Sequence, residues 1–169
     1  MTQANFQACM NFTLSAEGGY CDVPGDAGGA TNMGVTQATL SNWLGRPANV
    51  EDVQALTRET AEAIYRANYW DAVNGDGLPP GVDLMVFDFG VNVGAGTSAK
   101  RLQALIGVET DGEIGPLTLR AVAMHDVKWL ITTLGYSQQA YYTALNQPEF
   151  IDGWLNRTRN RTAMARTMA

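Results

Sequence analysis

Apolar positions recur at helical spacing along nearly the whole chain. Over residues 3–17, Phe6, Cys9, Met10, Thr13 and Leu14 fall on one stripe, and Gly18-Gly19 then stops the helix. Residues 20–35 (YCDVPGDAGGATNMGV) are rich in glycine, with a proline and two aspartates, so an irregular hairpin or ordered loop is predicted there. Thr36 can cap a short helix through Leu44. Another helix follows Thr57, with Ala61, Ile64, Tyr65, Tyr69 and Trp70 facing inward and Glu59 near its positive end. After the turn-rich stretch 75–81, the run VDLMVFDFGVNVGA is apolar on nearly all sides, which predicts a buried central helix. Thr97 or Ser98 begins the next helix, which turns Leu102, Leu105 and Ile106 to the core and ends at Gly107. Asp111-Gly112 marks a turn, and Pro116 suits a first helical turn. Residues 127–146 and 153–167 read as the last two helices, the second introduced by Gly153-Trp154. Trp43, Trp70, Trp129 and Trp154 all fall at core-facing spacings. The fold class is therefore mostly α, with a short glycine-rich hairpin or loop near the N-terminus. Without internal repeats or long linkers, residues 1–169 read as one domain.

Composition narrows the function. The net charge is −6, with 11 acids against 3 bases over residues 1–99 and 6 against 8 over residues 100–169. Nucleic acid, which demands a basic face, is excluded as a partner. Long-range attraction to any anionic polymer is weak, so close contacts must supply affinity. The basic positions Arg157, Arg159, Arg161 and Arg166 read as a solvated helix face. No apolar run approaches the roughly 20 residues of a membrane span, and the start MTQANFQACMNF lacks the layout of a signal peptide. Synthesis in the cytoplasm as a soluble chain is the expectation. Two cysteines and one histidine are too few for a usual zinc site, so no metal or cofactor is expected. Cys9 and Cys21 are separated mostly by helix, too far apart for a disulfide, and are expected as free thiols.

One segment can carry chemistry. Glu17 closes the first helix, where the negative end of the dipole and partial burial favour a neutral carboxyl, as a general acid requires. Asp26 follows in a glycine-rich loop, and Thr31 after it offers a hydroxyl to hold a water. A helix-end acid, a loop carboxylate and a nearby hydroxyl are what glycoside hydrolysis needs. Plainer readings stand beside these. Glu17 also suits a solvated helix end, Asp26 a turn, and Thr31 an ordinary strand position. Tyr20 suits either stacking on a sugar or packing of its loop. Asn92 is a polar residue on the apolar central helix, so it either lines a cleft or bonds local backbone. Asp88 reads as a structural hydrogen-bonding residue and His125 as a helix-end residue. A peptidase built on Cys21 and His125 would need a third, orienting group that the spacing does not offer. Asp111-Gly112-Glu113 lacks the ligand spacing of a calcium loop.

The run Glu17–Thr36 (EGGYCDVPGDAGGATNMGVT) resembles the signature of glycoside hydrolase family 108, muramidases described as secretion activators and as phage endolysins. Residues 87–122 and the ending FIDGWLNRTRNR resemble that family's C-terminal portion, so residues 82–169 are expected to form its peptidoglycan-binding region. The resemblance implies a lysozyme-like, mostly helical fold. It also implies cleavage of the β-1,4 bond between N-acetylmuramic acid and N-acetylglucosamine. Glu17 takes the place of the family's catalytic glutamate. The spacing from Glu17 to Asp26 to Thr31 is similar to the acid, aspartate and threonine of phage-type lysozymes, whose second gap is one residue longer. Asp26 and Thr31 are carried over as catalytic partners. The resemblance favours the cleft reading of Asn92, and Asn92 and, on its own residue type, Tyr20 are the candidate substrate-binding residues. The implied partner is a peptidoglycan glycan strand, attacked by a monomer in the periplasm after delivery by a holin or a secretion system. A lytic transglycosylase, which needs no second carboxylate, and a non-catalytic wall-binding module are the alternatives.

Overall fold

The computed structural model describes residues 2–21 and 29–169, the side chains of residues 2–4 excepted. Nine α-helices and one two-stranded hairpin occur among them. The chain forms two compact units, residues 10–67 and residues 1–9 with 68–169. No helix of the described residues is long and apolar enough to cross a membrane.

The unit of residues 10–67 begins within helix α1 (Thr2–Glu17), which Gly18 ends at φ 73°. Strands β1 (Thr31–Asn32) and β2 (Val35–Thr36) pair antiparallel, Thr31 opposite Thr36 and Asn32 opposite Val35. Met33 and Gly34 form the turn, with φ of 50° and 75°. Two successive positive φ values make a type I′ turn, whose twist matches that of the strands. Cys21 pairs with Thr31 from the other side through two 2.8 Å backbone hydrogen bonds. The hairpin leads directly into α2 (Gln37–Leu44). Thr36 Oγ1 accepts from Thr39 N at 3.1 Å, and Gly45 closes the helix in the left-handed region.

Helix α3 (Val50–Gln54) was not foreseen in the sequence. It is only five residues long, too short to show a period, and is defined by its capping box of Asn49 and Asp52. Arg46 reinforces this corner, pairing with Asp52 at 2.7 Å and holding that carboxyl down near about 2. Asn32 Nδ2 donates to Val53 O at 3.0 Å and ties the hairpin to α3. Helix α4 (Arg58–Tyr65) buries Ala61, Ile64 and Tyr65 as expected, with Thr57 as its cap. Its predicted continuation through Trp70 is a π-helical turn, Arg66–Trp70.

In the other unit, α5 (Val82–Val93) is the central helix the apolar run predicted, with Val82 through Gly90 all buried. Around it pack α6 (Ala95–Ile106), α8 (Val127–Ala144) and α9 (Pro148–Met168). Helix α7 (Pro116–Val122) starts on its proline as read. Trp70 lies between Phe6 and Phe87, edge to face at 5.2 and 5.5 Å, and its indole N–H donates to Asp76 at 2.9 Å. Such aromatic clusters add to area burial about 0.5–1.5 kcal/mol per pair.

Three expectations change here. Helix α6 begins at Ala95, before Thr97, because Gly94 at φ 89° makes the break itself. Helix α9 begins at Pro148 and runs through Gly153. Proline fits a first turn, and one exposed interior glycine costs only about 1 kcal/mol. Trp43 and Trp129 are 44% and 43% exposed, so only Trp70 of the four tryptophans is fully buried. Trp129 instead stacks on His125 at 5.1 Å, and the half-buried Trp154 stacks on Tyr142 at 5.0 Å.

The basic face is also split. Arg161 is fully buried and Arg157 nearly so, and both bind the buried Asp88, at 2.6 and 2.7 Å. Arg161 also donates to Gln138 Oε1 at 2.7 Å, and Gln138 Nε2 donates to Met85 O at 2.9 Å. This network joins α5, α8 and α9 through polar groups with defined partners. The two guanidinium groups hold the Asp88 carboxyl below its ordinary range against the cost of burial. Among the described residues no cation pairs with Asp83. Burial pushes it up to about 6, although Gly81 N, Leu84 N and Asn5 Nδ2 all donate to it. Burial, with the Asp83 and Asp88 carboxylates adding to it, pushes the Cys9 thiol far up, and both cysteines are free.

Candidate active site

Three features of residues 10–67 place the Glu17 carboxyl. Helix α1 ends on it, Gly18 turns the chain away at once, and the hairpin turn comes up against its side chain. A methyl group on Gly34 would stand 3.0 Å from Glu17 Oε2 and 3.1 Å from its Cγ, and would overlap the Tyr65 hydroxyl. The carboxyl and the phenol therefore meet over the bare Cα of Gly34. Glycine is required there twice, by its positive φ and by the lack of space. Tyr65, buried on α4, donates from Oη to Met33 O at 3.1 Å and fastens the turn in this position. Glu17 itself is half-buried.

Thr31 lies on the first strand of the same hairpin, half-buried, with Cys21 on one side and Thr36 on the other. Two backbone ladders hold it in register with the turn that touches Glu17. Tyr20, three residues beyond Glu17, is 42% exposed, and its hydroxyl accepts from Gln54 Nε2 at 3.1 Å. Gln54 ends α3, so the loop after α1 and the helix holding Asn32 share an anchor. Asp26 lies outside the described residues.

Asn92 belongs to the other unit. It is exposed on α5, and its Nδ2 donates to Tyr142 Oη at 3.1 Å. Its position near the end of an otherwise buried helix explains the polar residue in the apolar run. Asp88 has the structural role read for it. Asp111 accepts from Gln103 Nε2 and Glu113 N, so it organises its own turn.

Residues 10–94 match the family described as Glycosyl hydrolase 108. A solved structure titled "Structure of Brucella abortus SagA" is 41% identical to this chain, with a TM-score of 0.88, over 98% of this chain and 96% of that one. The chain belongs to the glycosyl hydrolase 108 family. Its fold is the mostly α, lysozyme-like one that the resemblance implied. A second match, to the family described as "Predicted Peptidoglycan domain", covers residues 97–159. None of the curated proteins matches the chain. Membership makes this a glycoside hydrolase, and the two matches together support a peptidoglycan hydrolase.

Within this glycosyl hydrolase 108 chain, sequence reasoning singled out Glu17 and Thr31 but missed Gly34 and Tyr65 as the pieces that frame the acid. Gly34 read only as a turn former and Tyr65 only as core. Gly34 brings Tyr65 and Glu17 to one side of its Cα only once the hairpin folds back on the end of α1.

Proposed function

We propose that this chain is an N-acetylmuramidase in which Glu17 is the general acid. The observation that carries the reading is the half-buried Glu17 carboxyl, fixed at the end of α1 against Gly34 and Tyr65, in a chain of this family. Glu17 donates its proton to the glycosidic oxygen between N-acetylmuramic acid and N-acetylglucosamine as the bond to the anomeric carbon breaks. Water forms the new bond to that carbon. Asp26 accepts the water's proton, and Thr31 orients the water through its hydroxyl. That division of labour, with attack from the opposite face, gives inversion. The roles of Asp26 and Thr31 rest on their spacing from Glu17 and on the resemblance to phage-type lysozymes. Tyr20 and Asn92 contact the glycan strand.

Residues 82–169 serve the same domain as a peptidoglycan-binding portion, a reading that the match of residues 97–159 supports. The protein works as a monomer on periplasmic peptidoglycan, delivered by a holin or a secretion system. Digestion of purified sacculi by wild type and Glu17→Gln tests the reading. Loss of a positioned general acid is expected to slow cleavage by about 10²–10⁴-fold. Each wild-type cut should add one water by mass. Anhydro sugar ends would make the protein a lytic transglycosylase instead. Sacculus binding without any solubilisation would make it a wall-binding module, the second reading that residues 97–159 favour.

A further inference from the structure

The four arginines that looked like one solvated face divide by helical phase. Arg157 and Arg161 turn inward to Asp88, while Arg159 and Arg166 turn to a groove between α8 and α9. The groove has a volume of about 210 Å³. Its floor is set by the close approach of the helices at Gly135, where an added methyl would meet Thr162 Oγ1 at 2.8 Å. Tyr136, 68% exposed, and Gln139 form the α8 wall, and Arg166 donates to Thr132 Oγ1 across the groove at 3.0 Å. Among the described residues no carboxylate lines it, although the chain as a whole carries a net charge of −6. Two arginines without an acid, in an acidic protein, make a local site for anions.

Spacing defines the anion further. Seven residues of α-helix place Arg159 and Arg166 about 10 Å apart along the axis. An extended peptide covers that distance in about three residues. Guanidinium forks pair with carboxylates in a planar, two-point manner. Gln139 and the threonine hydroxyls offer partners for the peptide amides between, and Tyr136 offers an apolar flank.

We propose that this groove binds the peptide stem of the wall polymer through two of its free carboxylates. The inference rests on the peptidoglycan reading above, and it assigns to α8 and α9 a ligand chemically distinct from the glycan cleaved at Glu17. The groove recognises uncrosslinked, unamidated stems. A polymer whose stems are amidated loses this attachment.

The test is an NMR titration of the full chain with a synthetic stem tetrapeptide bearing free carboxylates, its amidated counterpart, and inorganic phosphate. The free peptide should shift amides of residues 132–139 and 159–166. Amidation should weaken binding about 10-fold, the worth of a charge-assisted pair at a partly exposed site. Arg159→Gln with Arg166→Gln should weaken it by at least as much while the melting temperature stays that of wild type. If that variant does not fold, the amidated peptide decides alone. Equal binding of both peptides, or shifts elsewhere, overturns the proposal. So does phosphate that displaces the peptide at equal concentration, which would make the groove a general anion site. Binding is read without cleavage, so Glu17→Gln should bind the stem as wild type does. Continued cleavage by Glu17→Gln would defeat the catalytic reading and leave the groove standing.

Discussion

Replacing Gly34 by alanine probes whether the hairpin turn positions the acid. An L-residue at φ 75° costs about 1 kcal/mol relative to glycine. The new methyl also overlaps the Tyr65 hydroxyl and crowds Glu17. Moving Tyr65 aside breaks its 3.1 Å bond to Met33 O, worth about 1 kcal/mol and more if that carbonyl stays unsatisfied. The expected loss is about 2–3 kcal/mol, or about 5–10 °C in melting temperature for a chain of this size. Cleavage of sacculi should fall as well, because the methyl pushes on the carboxyl. Tyr65→Phe supplies the decisive comparison. Alone it removes the hydrogen bond and should cost about 1 kcal/mol. In the Gly34→Ala background it deletes the overlapping oxygen, so it should cost nothing or restore stability. The assay is a double-mutant cycle by thermal and urea unfolding, with sacculus turbidity measured for each variant. The expected coupling is at least about 1 kcal/mol. Additive effects would show that Gly34 and Tyr65 do not meet over Glu17, and the account of how the site is framed would be wrong.

Asp88→Ala should cost about 3–5 kcal/mol in urea unfolding, because it leaves Arg161 buried without its carboxylate; a loss below about 1 kcal/mol would contradict the network. Asp83 should give the pH profile a slope of opposite sign to that of a paired acid. Its folded form keeps a proton up to about 6, whereas the ordinary value is 3.8, so its contribution to stability falls as pH rises through that window and is level above it. The span corresponds to about 3 kcal/mol. Asp83→Asn should flatten the urea midpoint between pH 4 and 6, and an unchanged slope there would refute the assignment. Asp88, held low, acts below that window, where its contribution is lost as pH falls.

Much of the helical architecture is local information. The stripe ending at Glu17, Thr36 as a cap, the apolar run of α5 and Pro116 at a first turn each need only neighbours within a few residues, so period and cap chemistry reveal them. Glu17 stood out for the same reason, as the last residue before a helix-stopping glycine pair. Failures arose where local preference lost to packing or was too short to see. Helix α3 has no period to read, Gly153 was overridden by the packing of α9, and Trp43 and Trp129 share a spacing with buried residues without sharing their burial.

The sequence by itself determined most of the helices, the family and the place of Glu17 at the end of α1, because these depend on residue order along a short stretch of chain. Only the tertiary structure decided that Gly34 and Tyr65 close on Glu17, which of four nearby arginines are core and which are surface, and that Asn92 bonds Tyr142. Those outcomes depend on contacts between residues up to 73 positions apart, as for Arg161 and Asp88, and periodicity along the chain carries no term for them.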